Sequence, residues 1–317
     1  MFELKRGIAL VFPGQGSQYV GMGRDLFENY SKVKELFLRA DKILGTDLKD
    51  LCFNGPDEKL IITINAQPAI FLVSMAALTL LKNEGIEPEV VAGHSLGEYS
   101  ALAAAEVFDF NGGLRLVKKR AELMRKMSDT SNAGEMIAVL GLEEEKVNRV
   151  VESLRNDGII TIANYNCPGQ VVISGESKVI NLSIEHFNKA GAKRVVKLAV
   201  SGGFHSPLMK KAEDELSLFL SEIPFKKAIY PIVSNYTAEV SMDPDLIKNA
   251  LKNQIAGSVK WQQSVEKMLE IADIFIEIGP GKVLSGLIKR ISPKSTVLNV
   301  EDSKSFENTI NYLREVA

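Results

Sequence analysis

The segment Gly93-His94-Ser95-Leu96-Gly97 fits the pattern G-x-S-x-G. It falls between a short apolar run, Val90-Val91-Ala92, and a small-residue stretch through Ala101, Ala103, Ala104 and Ala105. A serine hydroxyl lifted clear of the backbone on a strained strand-to-helix turn leaves no room for side chains on either side, which is what the flanking glycines provide. Ser95 would then stand at a helix N-terminus, where free backbone N–H groups favour developing negative charge. The same five residues can also form a glycine-rich turn with a capping serine.

A serine nucleophile needs a base, and the chain has three histidines: His94, His186 and His205. His94 adjoins Ser95, but neighbours on an elbow point in different directions, so it is expected on a pocket wall. His186 lies in a helical stretch and reads as a surface or partly buried residue. His205 sits in Ser201-Gly202-Gly203-Phe204-His205-Ser206-Pro207, a loop between a strand and a helix. Loops on rigid scaffolds concentrate catalytic side chains, so His205 is the candidate base.

The spacing predicts a helix over 111–128, with Arg115, Lys118, Lys119, Glu122, Arg125 and Lys126 on one side and Leu114, Leu116, Val117, Ala121, Leu123, Met124 and Met127 on the other. Arg120 falls within the apolar side. A guanidinium buried there must be paired. Either a core carboxylate answers it in a structural ion pair, or it forms an anion site that receives a ligand carboxylate in bidentate fashion. Phe12-Pro13-Gly14-Gln15-Gly16-Ser17-Gln18 lacks the third glycine of a dinucleotide fingerprint, because Tyr19 stands there, and no Walker motif occurs. Such a loop can instead present a backbone N–H opposite that of Leu96, giving an oxyanion hole. No cluster has metal-ligand spacing.

The elements that must position these groups alternate as in an α/β protein with a largely parallel sheet. Strands are expected at 8–12, 90–92 and 274–278, and helices at 67–81 and 283–291. Residues 134–200 have another texture, with strands at 136–140, 159–163, 171–174 and 194–198 and helices at 143–154 and 179–190. That order, β-α-β-β-α-β, is the split βαβ of a ferredoxin-like subdomain. The expected class is an α/β-hydrolase-like large domain (1–132 and 201–317) with an inserted ferredoxin-like small subdomain (133–200).

The composition fits this picture. The 317 residues are 45% hydrophobic and 25% charged, with a formal net charge of −2. No overall basic field exists to hold nucleic acid or an anionic membrane. Cys52 and Cys167 are too few and too far apart for a disulfide framework and are expected as buried thiols in a reducing compartment. The opening Met1–Gly7 has no leader pattern, and no run of 18 apolar residues occurs, so a cytoplasmic protein is expected.

Taken in order, Phe12–Gln18, Gln67-Pro68-Ala69, Gly93-His94-Ser95-Leu96-Gly97-Glu98, Arg120, Asn164-Tyr165-Asn166 with Pro168-Gly169-Gln170, Phe204-His205-Ser206-Pro207-Leu208-Met209, Gln254 with Val259 and Trp261, and Glu277-Ile278-Gly279-Pro280-Gly281 resemble the malonyl-CoA:acyl carrier protein transacylase family of fatty acid and polyketide synthesis. The resemblance spans nearly the whole chain. It implies that Ser95 is acylated from malonyl-CoA, that His205 is its base and that Arg120 clamps the malonate carboxylate. Gln15 and Leu96 would supply the oxyanion N–H groups. The backbone carbonyl of Gln254 would orient the histidine in place of a triad aspartate. Gln67, His94, Phe204 and Asn166 would complete the substrate-binding set, with Phe204 resembling the malonyl-selecting form of its loop. The acceptor would be the phosphopantetheine thiol of an acyl carrier protein, and the enzyme would be a monomer without a cofactor of its own. Alternatives are a discrete acyltransferase of a polyketide synthase and a serine esterase or thioesterase. Lys118, Lys119, Lys193, Arg194, Lys197, Lys210 and Lys211 are candidates for docking an acidic carrier. Gly203 departs from the Ala or Pro of many members, and Ser258 from their Pro.

Overall fold

Strand β1 (Ile8–Phe12) is buried from Ala9 onward, because a strand pairs along each of its edges and helices cover its faces. The computed structural model describes residues 7–130 and 132–316; Met1–Arg6, read above for a leader, lie outside the described residues. Beside β1 run β2 (Val90–Gly93) on one edge and β9 (Ile274–Ile278) on the other, both parallel to it. The other strands are β3 (Glu135–Leu140), β4 (Ile160–Cys167), β5 (Gln170–Gly175), β6 (Arg194–Lys197), β7 (Ile232–Val233), β8 (Val240–Ser241) and β10 (Thr296–Val300). The larger sheet has the order β10-β9-β1-β2-β7-β8, parallel except for the β7–β8 hairpin at one edge. The smaller sheet, β4-β5-β3-β6, is antiparallel throughout, and with its helices Glu144–Leu154 and Ser177–Lys189 it has the expected ferredoxin-like order.

Parallel strands need crossovers, and the first is the helix Thr63–Asn83, buried along most of its length. It is long and apolar enough to cross a membrane by composition alone, yet it lies in the core. It begins one turn before the expected 67 because Ile64 is exposed and Asn65 half-buried, which breaks the apolar pattern there. β4 likewise outruns the expected 159–163. Its second half, Asn164-Tyr165-Asn166-Cys167, is too polar to read as a strand, but with register shifts after Ile162 and Tyr165 it stays paired to β5, and its backbone bridges to Val259. Cys52 and Cys167 are both buried, free thiols.

Three clusters of apolar side chains make the core. One lies on each face of the larger sheet, and the third, with Ile137, Val147, Ile173 and Phe187, sits between the smaller sheet and its helices. The carboxyl ends of β1, β2 and β7 all open toward the same cleft, the usual location for a site in an open α/β sheet.

Candidate active site

The turn after β2 is built by close contact. A Cβ on Gly93 would lie 1.9 Å from the carbonyl carbon of Gly97, and one on Gly97 would lie 1.9 Å from the carbonyl oxygen of Phe12. Only glycine lets the elbow cross the end of β1 at this distance. Ser95 itself adopts φ 51°, a left-handed conformation rare for a non-glycine residue. The helix Gly97–Ala104 starts directly beyond it. The serine is therefore carried on a nucleophile elbow, not on an ordinary capped turn.

His205 comes from the loop between β6 and the short 3₁₀ turn Pro207–Met209, and it too has positive φ, 56°. Its Nε2 lies 2.7 Å from Ser95 Oγ. Its Nδ1 faces two backbone carbonyls, Gln254 at 2.9 Å and Gly257 at 3.2 Å. Carbonyl oxygens only accept, so Nδ1 carries the proton and Nε2 presents a lone pair to the serine hydroxyl. Burial, with the Arg120 charge nearby, pushes the His205 pKa down to about 3, so the imidazole stays neutral and ready to accept a proton. Among the described residues no carboxylate takes the third place of a triad.

Arg120 projects from the buried face of the helix Phe110–Ser128 and is 1% exposed. Its Nη1 donates to Gln67 Oε1 (2.8 Å), and its Nη2 to Ser95 Oγ (3.0 Å) and Gln254 Oε1 (3.2 Å). The guanidinium lies over the Tyr99 ring at 5.3 Å. Its Nε–H is buried without a partner, and among the described residues no carboxylate forms an ion pair with it. Of the two readings open from sequence, the structural ion pair is not present; what remains is a buried cation held by neutral groups.

These groups line a cavity of about 350 Å³, together with Gln15, Gln67, His94, Leu96 and Phe204 and an apolar wall that includes Met124, Met136 and Leu198. Gln15 and Leu96 come from the loops after β1 and β2, and among the described residues neither backbone N–H is engaged in a hydrogen bond. Asn166 does not reach the cavity. The β4 bulges place it behind His94, whose Nε2 it meets at 2.9 Å, and Asn164 lines the cavity instead. Gln254 stands behind the cavity as well, reaching it through Arg120, His205 and the Ser95 carbonyl, which its Nε2 contacts at 2.7 Å. His186 is half-buried on the subdomain helix, away from the site. Gly203 packs against Leu208 rather than on the cavity, and Ser258 donates to the Ile162 carbonyl at 2.6 Å, tying the Gln254 loop to β4.

Sequence reasoning quoted Glu98 only as the end of the elbow motif, with no partner assigned, and missed Asn235 and Gly257. Glu98 had the same signal as Arg120, a charge within an apolar helical stretch. Asn235 and the Gly257 carbonyl had none, because both are brought in from distant loops. Among the described residues no group of three His, Cys, Asp or Glu side chains is placed to hold a metal ion.

The chain matches the acyl transferase domain family over residues 9–306. It is 43% identical to the malonyl CoA-acyl carrier protein transacylase of Bacillus subtilis (strain 168), across 97% of this chain and 98% of the relative. Among solved structures, the malonyl CoA-acyl carrier protein transacylase from Clostridium perfringens superposes with a TM-score of 0.93 at 41% identity, covering 98% of each chain. A malonyl-transacylase in complex with its type II polyketide-synthase acyl-carrier protein gives a TM-score of 0.93 at 38% identity, covering 96% of this chain and 99% of that one. With an elbow serine, a neighbouring imidazole and a buried cation on one cavity, and with likeness over almost its full length, the chain belongs to the acyl transferase domain family, among the malonyl-CoA:acyl carrier protein transacylases.

Proposed function

We propose that the enzyme transfers a malonyl group from malonyl-CoA to the phosphopantetheine thiol of an acyl carrier protein, through a malonyl-Ser95 intermediate, supplying fatty acid synthesis. The observation that carries this reading is the position of Ser95 Oγ, 2.7 Å from His205 Nε2 and 3.0 Å from Arg120 Nη2. Ser95 Oγ attacks the thioester carbonyl as its proton passes to His205 Nε2. The tetrahedral oxyanion is held by the N–H groups of Gln15 and Leu96. Collapse breaks the C–S bond, and the departing CoA thiolate takes the proton from Nε2. The carrier thiol then gives its proton to the same nitrogen and attacks the ester, and Ser95 regains its hydrogen as it leaves.

Arg120 gives the selectivity. Once Ser95 is an ester its Oγ is a poor acceptor, so the Nη2–H it held is released, and with the unpartnered Nε–H two donors face a carboxylate. Gln67 fixes the guanidinium, and Phe204 bounds the acyl space. Asn166 acts through His94 rather than on substrate. We take residues 133–200 as a subdomain inserted into a large domain of 1–132 and 201–317, supported by its own sheet and core. The enzyme acts as a cytoplasmic monomer, without a cofactor. For docking an acidic carrier, Lys197 and Lys210 are already paired with Glu135 and with Glu213 and Asp214, and Lys118 donates to the Leu44 carbonyl, which leaves Lys119, Lys193, Arg194 and Lys211 as the positive surface.

Incubation with malonyl-CoA, followed by peptide mass spectrometry and addition of holo carrier protein, tests this. A malonyl adduct on Ser95 that moves to the carrier supports the reading. Free malonate released faster than malonyl-carrier forms would make the protein a hydrolase.

A further inference from the structure

Glu98 lies three residues beyond Ser95, in the first turn of the helix Gly97–Ala104, and is 1% exposed. Its Oε2 accepts from the Asn235 backbone N–H (3.1 Å) and from Gln254 Nε2 (2.8 Å). Those two residues grip the elbow. Asn235 Nδ2 donates to the Gly93 carbonyl (2.6 Å), and its Oδ1 accepts from the Ser95 N–H (2.6 Å). Gln254 Nε2 donates to the Ser95 carbonyl (2.7 Å), while its Oε1 accepts from Arg120 and its own carbonyl from His205 Nδ1. Nucleophile, base and buried cation thus converge on one buried carboxyl group that touches no reacting atom.

We propose that Glu98 is a positioning residue for the transfer, acting through Asn235 and Gln254 to hold the Ser95 main chain and the acceptor that orients His205; this rests on the reading of Ser95 as the acylated nucleophile. A left-handed non-glycine residue costs on the order of 1–3 kcal/mol and persists only where its surroundings over-determine it. Here both the N–H and the C=O of Ser95 are held, and the holders share one anchor. What the frame requires at this point is an acceptor oxygen. Burial raises the Glu98 pKa, which is consistent with a group retained for its lone pairs more than for its charge.

The test is the rate at which a fluorophosphonate labels Ser95, corrected for folded fraction, together with kcat and KM for malonyl-CoA. The probe carries no carboxylate and so reads the serine, base and oxyanion geometry without the Arg120 clamp. Glu98→Ala is expected to label at least about 30-fold more slowly and to lose kcat similarly, with KM within about threefold. Glu98→Gln, which retains an acceptor oxygen, should recover at least about a third of the wild-type rate. If Glu98→Ala does not fold, Asn235→Ala is expected to slow labelling at least about tenfold. A fall in melting temperature with an unchanged labelling rate per folded molecule overturns the proposal and leaves the role of Ser95 standing. Wild-type protein that is not labelled at Ser95 overturns both.

Discussion

The Nδ1 of His205 and the backbone carbonyl of Gln254 meet at 2.9 Å, and this contact fills the place that an aspartate holds in a hydrolase triad. A carbonyl fixes the tautomer and ring angle as an aspartate would, but it brings no negative charge to stabilise an imidazolium. With burial and the nearby Arg120 charge acting in the same direction, the His205 pKa falls to about 3. The expected consequence is that kcat/KM for acylation by malonyl-CoA shows no acid limb at the ordinary histidine value and remains near its plateau down to about pH 5. Stopped-flow acylation rates between pH 5 and 8 check this. A midpoint near 6.5 would mean that the base is far less shielded than its surroundings indicate.

Among the described residues Arg120 has no carboxylate in ion-pair contact, and its Nε–H has no hydrogen-bond partner. Arg120→Ala should cost malonyl transfer about 2–4 kcal/mol in kcat/KM, while acetyl transfer loses much less or improves in relative terms. Arg120→Lys keeps the charge but not the fork and should fall between. Competition between malonyl-CoA and acetyl-CoA for each variant gives the ratio directly, and an equal loss for both acyl groups would remove the clamp from the mechanism.

How much of this was legible in the sequence depends on the range of each contact. The elbow, the strand before it, the helix after it and the helix carrying Arg120 are local patterns, so the positions of Ser95 and Arg120 could be read from periodicity and glycine spacing. His205 as the candidate base follows from elimination among three histidines and from its loop setting. The remainder of the frame is long-range: Asn235 reaches Ser95 across 140 positions and Gln254 across 159. Asn235 lies in a loop, and Gln254, although it ends the amphipathic helix Pro244–Gln254, was singled out by the resemblance alone; its carbonyl meets His205 Nδ1 at 2.9 Å. The same resemblance placed Asn166 on substrate, where the β4 bulges, invisible in a run of polar residues, put it behind His94.

The elbow glycines make a second kind of prediction, because the obstacle is backbone. A methyl at Gly97 would meet the Phe12 carbonyl oxygen at 1.9 Å and the Pro13 oxygen at 2.9 Å, and neither atom can yield without moving the end of β1. Gly97→Ala should destabilise the protein by at least about 3 kcal/mol or prevent folding. Gly286, exposed within the helix Val283–Ile291, has nothing within 4 Å of a built Cβ. Gly286→Ala should therefore stabilise by about 0.5–1 kcal/mol. Denaturant unfolding of the two variants, compared with wild type, tests the contrast, and a similar small change in both would show that the elbow can relax.

Glu98 should leave its mark on stability as a function of pH. Burial raises its folded-state pKa from 4.5 to about 7, against the lowering influence of Gln254, Asn235 and Arg120. A folded pKa above the unfolded one means that the folded state holds the proton more tightly. The stability this gives is fully present below about pH 4.5 and is lost as pH rises through about 7, amounting to about 3 kcal/mol across the window. His205 works in the opposite sense, since its depressed pKa favours folding above about 6.5 and that contribution is lost as pH falls toward 3. The wild-type curve mixes the two, so the difference between wild type and Glu98→Gln, in which the His205 contribution cancels, isolates the carboxyl group. That difference should fall steadily from pH 5 to pH 8 when followed by chemical denaturation at each pH. A flat difference would mean that Glu98 is ionised in the folded protein throughout, and its two donors would then be stabilising a buried charge instead of merely satisfying a neutral acceptor.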